Sequence, residues 1–304
     1  MEKSGLIVLN KPAGITSHTA VAKVRRLFGV EKAGHTGTLD PQASGVLPVL
    51  IGRAVKVAEF LTESDKHYRA TLTLGLTTDT EDATGAVLSR AATIPDEAAV
   101  RAVLTRFRGE IRQVPPMYSA LKVGGRKLVD LARRGETVER ESRPVTVYRL
   151  EAEKIDDKNY ALDAVVSKGT YIRTLCADIG AALGCGGIMS TLVRVEACGY
   201  TLDEAIAPDE LAALSDEERV ARIVPTDALF PTAERFSPGH FFVRLLRCGL
   251  RVETRKLGLG GAPVGTRFRL YDAGVFFALA EIRSPDETKN ETGTVLAPLR
   301  QFDL

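Results

Sequence analysis

Gly34-His35-Thr36-Gly37-Thr38-Leu39-Asp40-Pro41, followed by Ala43-Ser44-Gly45-Val46-Leu47-Pro48, is the stretch on which the reading of this chain turns. Two glycines, a histidine, two threonines and an Asp-Pro pair separate a helical pattern from an apolar, β-rich run at residues 45–51. That composition makes a loop with backbone freedom that holds one carboxylate in a fixed direction, because Pro41 confines Asp40 to extended conformations. The plainer reading is an Asx-type turn, in which the Asp40 carboxylate bonds its own backbone.

Upstream of this stretch, residues 5–10 read as a short apolar strand that runs into a Lys11-Pro12-Ala13-Gly14 turn. Ser17 caps a helix whose apolar residues Ala20, Val21, Val24, Leu27 and Phe28 share one face. Downstream, residues 53–61 have helical spacing, and residues 68–76 alternate with period two, the mark of a half-buried strand. Thr93-Ile94-Pro95-Asp96 opens a helix, with Thr93 as its cap and Val100, Val103, Leu104 and Phe107 as its buried stripe. Residues 145–150 and 160–167 are strands, and 170–183 is a helix closed by Gly184. After Leu229 the texture changes: Phe230-Pro231 and Ser237-Pro238-Gly239 punctuate a hinge, and the Gly-rich remainder has short β runs at 241–246, 266–271 and 275–282, so a boundary falls near residue 232.

Composition narrows the functional classes. The 304 residues are 44% hydrophobic and 26% charged, the ordinary mixture of a soluble globular protein. No window approaches eighteen uninterrupted apolar residues, and the apolar run at 6–9 is too short for a signal-peptide core, which points to the cytoplasm. The four cysteines form no Cys-x-x-Cys pair and the four histidines no cluster, so no metal site is expected. Phosphate-loop, dinucleotide and Gly-x-Ser-x-Gly signatures are absent. The net charge of +2 looks neutral but is unevenly spread. Residues 106–149 carry eleven basic and five acidic side chains, and residues 234–269 carry eight and two. Two surpluses of six therefore stand on a body with a deficit of ten. Such blocks suit a polyanion or a merely solvated face equally well.

Two further stretches carry candidate chemistry. In Ser167-Lys168-Gly169-Thr170-Tyr171-Ile172-Arg173-Thr174-Leu175 a strand ends, a glycine turns the chain, and Arg173 falls in the first turn of a helix. The helix dipole disfavours a cation there, so Arg173 either meets a carboxylate or anion, or simply covers apolar neighbours with its stem. In Lys66-His67-Tyr68-Arg69, Tyr68 begins the period-two pattern on the core side, with a ring that either stacks on a ligand or is plain core.

Taken in order, these residues closely resemble the TruB family of tRNA pseudouridine synthases. The matching series is Asn10-Lys11-Pro12-Ala13-Gly14, the 34–41 loop, Tyr68 at 28 residues beyond Asp40, Pro115-Pro116-Met117-Tyr118-Ser119-Ala120-Leu121-Lys122, Arg143 to Tyr148, Ser167 to Leu175, and Leu192-Val193-Arg194. Ser44 stands where the family usually has threonine. The resemblance implies an α+β pseudouridine synthase fold, with a central mixed or antiparallel sheet and flanking helices over residues 1–232. It also implies a basic RNA-binding insertion at 113–150 and a small β-rich, PUA-like domain at 233–304. The implied activity is isomerisation of uridine 55 in the T loop of tRNA, which is neutral in redox and hydrolysis and needs no cofactor or metal. Asp40 is implied as the essential carboxylate, Arg173 as its partner, and Tyr68 as the ring on the flipped base. His35, Lys11, Leu192 and Thr38 are implied near the pocket. Lys122, Arg126, Lys127, Arg133 and Arg134 are implied to contact the T-arm. No segment reads as a subunit interface, so a monomer is expected. The competing readings are an RNA-guided synthase subunit of the H/ACA type and a non-catalytic tRNA-binding chaperone.

Overall fold

Residues 3–286, 288 and 292–302 are described by the computed structural model. The apolar run Gly5–Lys11 pairs antiparallel with Ser44–Ile51 along its whole length, from Gly5 opposite Ile51 to Lys11 opposite Gly45. Both faces of this pair are covered. Ile7, Leu9, Leu47 and Val49 share a core with Ala20, Val24 and Phe28 of the helix Ser17–Phe28. Leu6, Val8, Val46 and Leu50 pack on the opposite side with Leu229 and Phe230. Double burial is why these strands are continuously apolar rather than alternating. Lys66–Leu74 and Asn159–Val166 do alternate, since only one of their faces is buried.

These strands belong to one large sheet. Its order is Val224–Pro225, Gly5–Lys11, Ser44–Ile51, Gly187–Ala197, Lys66–Leu74, Asn159–Val166, Arg143–Lys154 and Gly109–Gln113, with Ala33–His35 and Tyr200–Thr201 as side branches. Gly187–Ala197 meets Ser44–Ile51 in parallel through only two pairs, Val193 with Ser44 and Arg194 with Gly45. The helix Ile172–Ala182 lies close on Gly187–Ala197. A Cβ at Gly180 would stand 2.1 Å from the Gly187 nitrogen, so the approach requires glycine. The helix opened near residue 93 in fact spans Glu97–Leu104, capped by Asp96 rather than Thr93, and residues 52–61 divide into a 3₁₀ turn, Gly52–Val57, and a short helix, Ala58–Leu61.

A second sheet follows in the order Glu234–Phe236, Arg267–Asp272, Val275–Arg283, Val295–Gln301 and Val252–Glu253. Residues 241–246, expected as β, are helical within His240–Arg247. Val243 and Leu246 are buried there and Phe241 is exposed. A short apolar run does not separate a strand from a helix, and here the three-residue spacing of Val243 and Leu246 decides it. The outer limits of the expected division, residues 1 and 304, lie outside the described residues.

The second sheet rests on the back of the first. Phe230 packs edge-on against Phe60 at 5.6 Å and tilted against Phe276 and Phe302 at 6.2 and 5.8 Å. The Tyr271 hydroxyl donates to Asp227 Oδ2 at 2.7 Å, and Lys56 Nζ donates to the Gln301 carbonyl at 3.0 Å. Phe230→Ala is expected to lower the unfolding free energy by about 3–5 kcal/mol, measured by urea denaturation. A loss below about 1 kcal/mol would mean the ring is not a keystone between the sheets.

Candidate active site

The Asp40 loop hangs between Ala33–His35 and Ser44–Ile51, which pair from Ala33 opposite Ile51 to His35 opposite Val49. Its backbone is tied down at several points. Ser17 Oγ accepts from the Leu39 amide at 2.8 Å and donates to the Leu39 carbonyl at 2.9 Å. Ser17 therefore does not cap its helix; Thr16 does, accepting from the Thr19 amide at 3.0 Å. The fully buried Lys11 donates its Nζ to the carbonyls of Pro12, Ile15 and Pro41 at 2.8, 2.8 and 3.2 Å. Arg194, also buried, donates to the carbonyls of Gly37, Thr38 and Val46.

With its backbone held, the Asp40 carboxylate turns to Arg173 rather than to its own backbone. Arg173 Nε lies 3.0 Å from Oδ2 and Nη2 lies 3.4 Å from Oδ1, a side-on fork. The rest of the guanidinium is also occupied. Nη2 donates to the Tyr118 carbonyl at 2.9 Å, Nη1 donates to the Thr80 carbonyl at 3.3 Å, and Nη1 stands 3.6 Å from Asp82 Oδ2. The cation in the first helical turn thus meets carboxylates from two other segments, which overrides the dipole preference. Helix Ile172–Ala182 has no side-chain cap. Gln113 fixes its start instead, accepting from the Tyr171 amide at 2.8 Å and donating to the Tyr171 carbonyl at 3.0 Å.

Burial pushes the Asp40 carboxyl above its ordinary range; Arg173 and Lys11 oppose that shift and Asp82 adds to it. Burial likewise brings Lys11 down to about 8, with Asp40 resisting and Arg194 reinforcing. Behind Arg173, Glu81 accepts from Thr174 Oγ1 at 2.6 Å and is raised by burial, while Asp178 is raised to about 6 by burial and the Glu81 charge.

Asp40, Arg173, Tyr68, Leu192 and Thr38 line one cleft of about 320 Å³, together with Lys66. A larger cleft of about 780 Å³ adjoins it, sharing Asp40, Tyr118, Arg173 and Leu192 and extending to Arg133. The structure does not bring every expected residue to these walls. Lys11 lies under the loop. His35 forms no part of either lining, and its Nδ1 is buried without a hydrogen-bond partner among the described residues. Lys122, Arg126 and Lys127 are exposed on a small hairpin, Lys122–Val123 with Arg126–Lys127, turned by Gly124 and Gly125 at φ 57° and 80°. Arg133 and Arg134 are exposed beyond the short helix Leu128–Ala132. No group of three or more His, Cys, Asp or Glu side chains suited to a metal occurs among the described residues.

Sequence reading missed Asp82, Tyr118 and the bracing role of Arg194. Arg194 does leave a trace, since it interrupts the apolar Leu192-Val193-Arg194-Val195 run as a charge at a core position.

Residues 25–172 match the family model described as TruB family pseudouridylate synthase (N terminal domain), and residues 173–231 match the tRNA pseudouridylate synthase B C-terminal domain. The two matches meet inside the helix Ile172–Ala182, and strands on either side of that point share one sheet. Among relatives, tRNA pseudouridine synthase B of Burkholderia pseudomallei (strain 668) is 46% identical over 270 residues, 88% of this chain and 89% of that one. Its counterpart from Alkaliphilus oremlandii (strain OhILAs) is 47% identical over 74% of each chain. Among solved structures, a Cbf5-Nop10-Gar1 complex aligns with TM-score 0.72 and 26% identity, covering 99% of this chain and 85% of that one.

The pKa of Asp178 makes one prediction independent of turnover. Its carboxyl rises from 3.8 to about 6 on folding. Between those values the folded chain holds a proton that the unfolded chain has released, so stability falls as pH rises through the window. Asp178→Asn removes this titration and is expected to gain on wild type between about pH 4 and pH 7, read as the difference in melting temperature. A pH-independent difference would count against it.

Proposed function

The chain belongs to the TruB family of pseudouridylate synthases, and on that premise we propose that it isomerises uridine 55 in the T loop of tRNA, acting as a cytoplasmic monomer. The reaction breaks C1′–N1, turns the freed uracil, joins C1′ to C5 and passes the C5 proton to N1. Nothing is oxidised and no water is consumed. The observation that carries this reading is the Asp40 carboxylate, paired with Arg173 at 3.0 Å on the wall of a cleft of about 320 Å³ that Tyr68 and Leu192 also line.

Chemistry at C1′ and C5 requires the nucleotide to leave the stack. Asp40 supplies the ionised carboxylate that opens the reaction, and Arg173 keeps it ionised away from water. Tyr68 stacks on the flipped base and takes the C5 proton, with Leu192 and Thr38 forming walls. His35 assists extrusion at the loop's edge, and Lys11 holds the loop from below. The basic segment 113–150 lies over the T-arm with Lys122, Arg126, Lys127, Arg133 and Arg134 on its phosphates. The PUA-like region at 233–304 reaches toward the acceptor stem. Shape and 2′-hydroxyls, rather than base sequence, explain how one site serves many tRNAs.

A guided-synthase reading draws support from the likeness to the Cbf5 complex. Relatives at 42–47% identity that carry the name tRNA pseudouridine synthase B favour a stand-alone enzyme. Mass-spectrometric mapping of pseudouridine in a bare T-arm hairpin, without guide RNA or accessory protein, tests substrate and independence together. Asp40→Asn is expected to cut turnover by at least about a thousandfold while hairpin binding persists. Turnover retained in that variant would remove the mechanism, and loss of both activity and binding would point to misfolding.

Replacing Arg126, Lys127, Arg133 and Arg134 together is expected to weaken hairpin binding and to flatten its salt dependence by about one logarithmic slope unit per lost phosphate contact. An unchanged slope would return these residues to a solvated face.

A further inference from the structure

Arg194 is among the largest side chains fully removed from solvent, with 1% of its surface exposed. Nε donates to the Val46 carbonyl at 2.7 Å, Nη2 to Gly37 at 3.0 Å and Nη1 to Thr38 at 3.5 Å. Gly37 and Thr38 lead into Asp40, and Val46 follows the loop's exit, so one planar fork spans both limbs. The backbone of Arg194 is equally placed. It pairs with Gly45 on one side and Tyr68 on the other. Gly45, at φ 107°, has no room for a side chain there, because a Cβ would stand 2.2 Å from the Arg194 oxygen. The same residue therefore fixes the loop of Asp40 and the strand of Tyr68 against each other.

The three partners of this guanidinium are carbonyl oxygens rather than a carboxylate. A buried cation satisfied only by backbone dipoles is costly compared with an apolar side chain of similar volume, so stability alone does not account for it. Unlike the rotatable ammonium of Lys11, the planar guanidinium holds its donors in fixed directions, so Arg194 fixes the orientation of its carbonyls and not only their distance.

Resting on the proposed isomerisation, we infer that Arg194 is a positioning residue: it sets the direction in which the Gly37–Thr38 limb presents Asp40 to a uridine stacked on Tyr68. Arg194→Lys keeps the charge and loses the fork. Its single-turnover rate on the T-arm hairpin is expected to fall about 100-fold, the scale of an ångström-sized misplacement, with hairpin affinity within about twofold. In an Asp40→Glu background, where the carboxylate is already displaced, the same change is expected to cost less than about fivefold. An equal loss in both backgrounds, or a rate within about threefold of wild type, would overturn the inference. Wild-type protein that binds the hairpin without isomerising it would refute the proposed function instead. The inference would then be decided by ¹³C titration of the Asp40 carboxyl. That titration moves up in Arg194→Lys if the carboxylate slips from Arg173, and stays in place if Arg194 only fills space. Should Arg194→Lys fail to fold, Arg194→Gln is measured in the same two ways.

Discussion

A carboxylate taken out of water keeps its charge only where other groups replace the water, and the Asp40–Arg173 pair is that replacement here. The arrangement is balanced rather than maximal. Arg173 is shared with Asp82 and two carbonyls, and Asp82 itself pushes Asp40 upward. Sharing Arg173 in this way leaves Asp40 less strongly stabilised as an anion than an exclusive pair would. The constraint also organises the fold. Arg173 reaches Asp40 only because the loop after Ala33–His35, the Thr80–Asp82 turn, the segment at Tyr118 and the helix Ile172–Ala182 converge on one point.

Much of this was legible in the residues. Continuous apolar runs at 5–10 and 45–51 announced strands, and the alternation after Tyr68 announced one covered on a single side; that the first two are covered on both sides emerges only from the fold. Arg173 stood out because it sits where a helix prefers an acid, which was a sound reason to seek a carboxylate partner. What sequence alone withheld was distance in space. Asp40 and Arg173 are 133 positions apart, and neither local pattern names the other. Asp82 lay hidden in a turn dense with Asp, Thr and Gly, where its short bonds to Thr80 and Thr84 are the ordinary business of such turns. Ser17 failed as a cap for a related reason. Thr16 serves that end equally well, and only the folded loop shows that Ser17 is committed to Leu39.

The C-terminal sheet is less an appendage than the chain's texture suggests. Leu279 and Phe302 belong to the same apolar cluster as Leu6, Val8, Val46 and Leu50. Those are the rear faces of the two strands that anchor the Asp40 loop at its base. The fold likeness to the Cbf5-Nop10-Gar1 complex, at 26% identity, covers 99% of this chain, and the higher identity to tRNA pseudouridine synthase B extends over 88% of it.

The strand order has a consequence for how the molecule is made. Gly187–Ala197 is late in the chain but central in the sheet, wedged between Ser44–Ile51 and Lys66–Leu74. On the ribosome, the seven strands of the large sheet that precede it therefore emerge as two unjoined blocks with raw edges. They close only once residue 197 has cleared the exit tunnel. Contacts of such long sequence separation slow folding and leave strand edges open in the meantime. The strand that joins the two blocks also carries Arg194, so the loop of Asp40 gains its bonds to the Arg194 guanidinium only when that strand is in place.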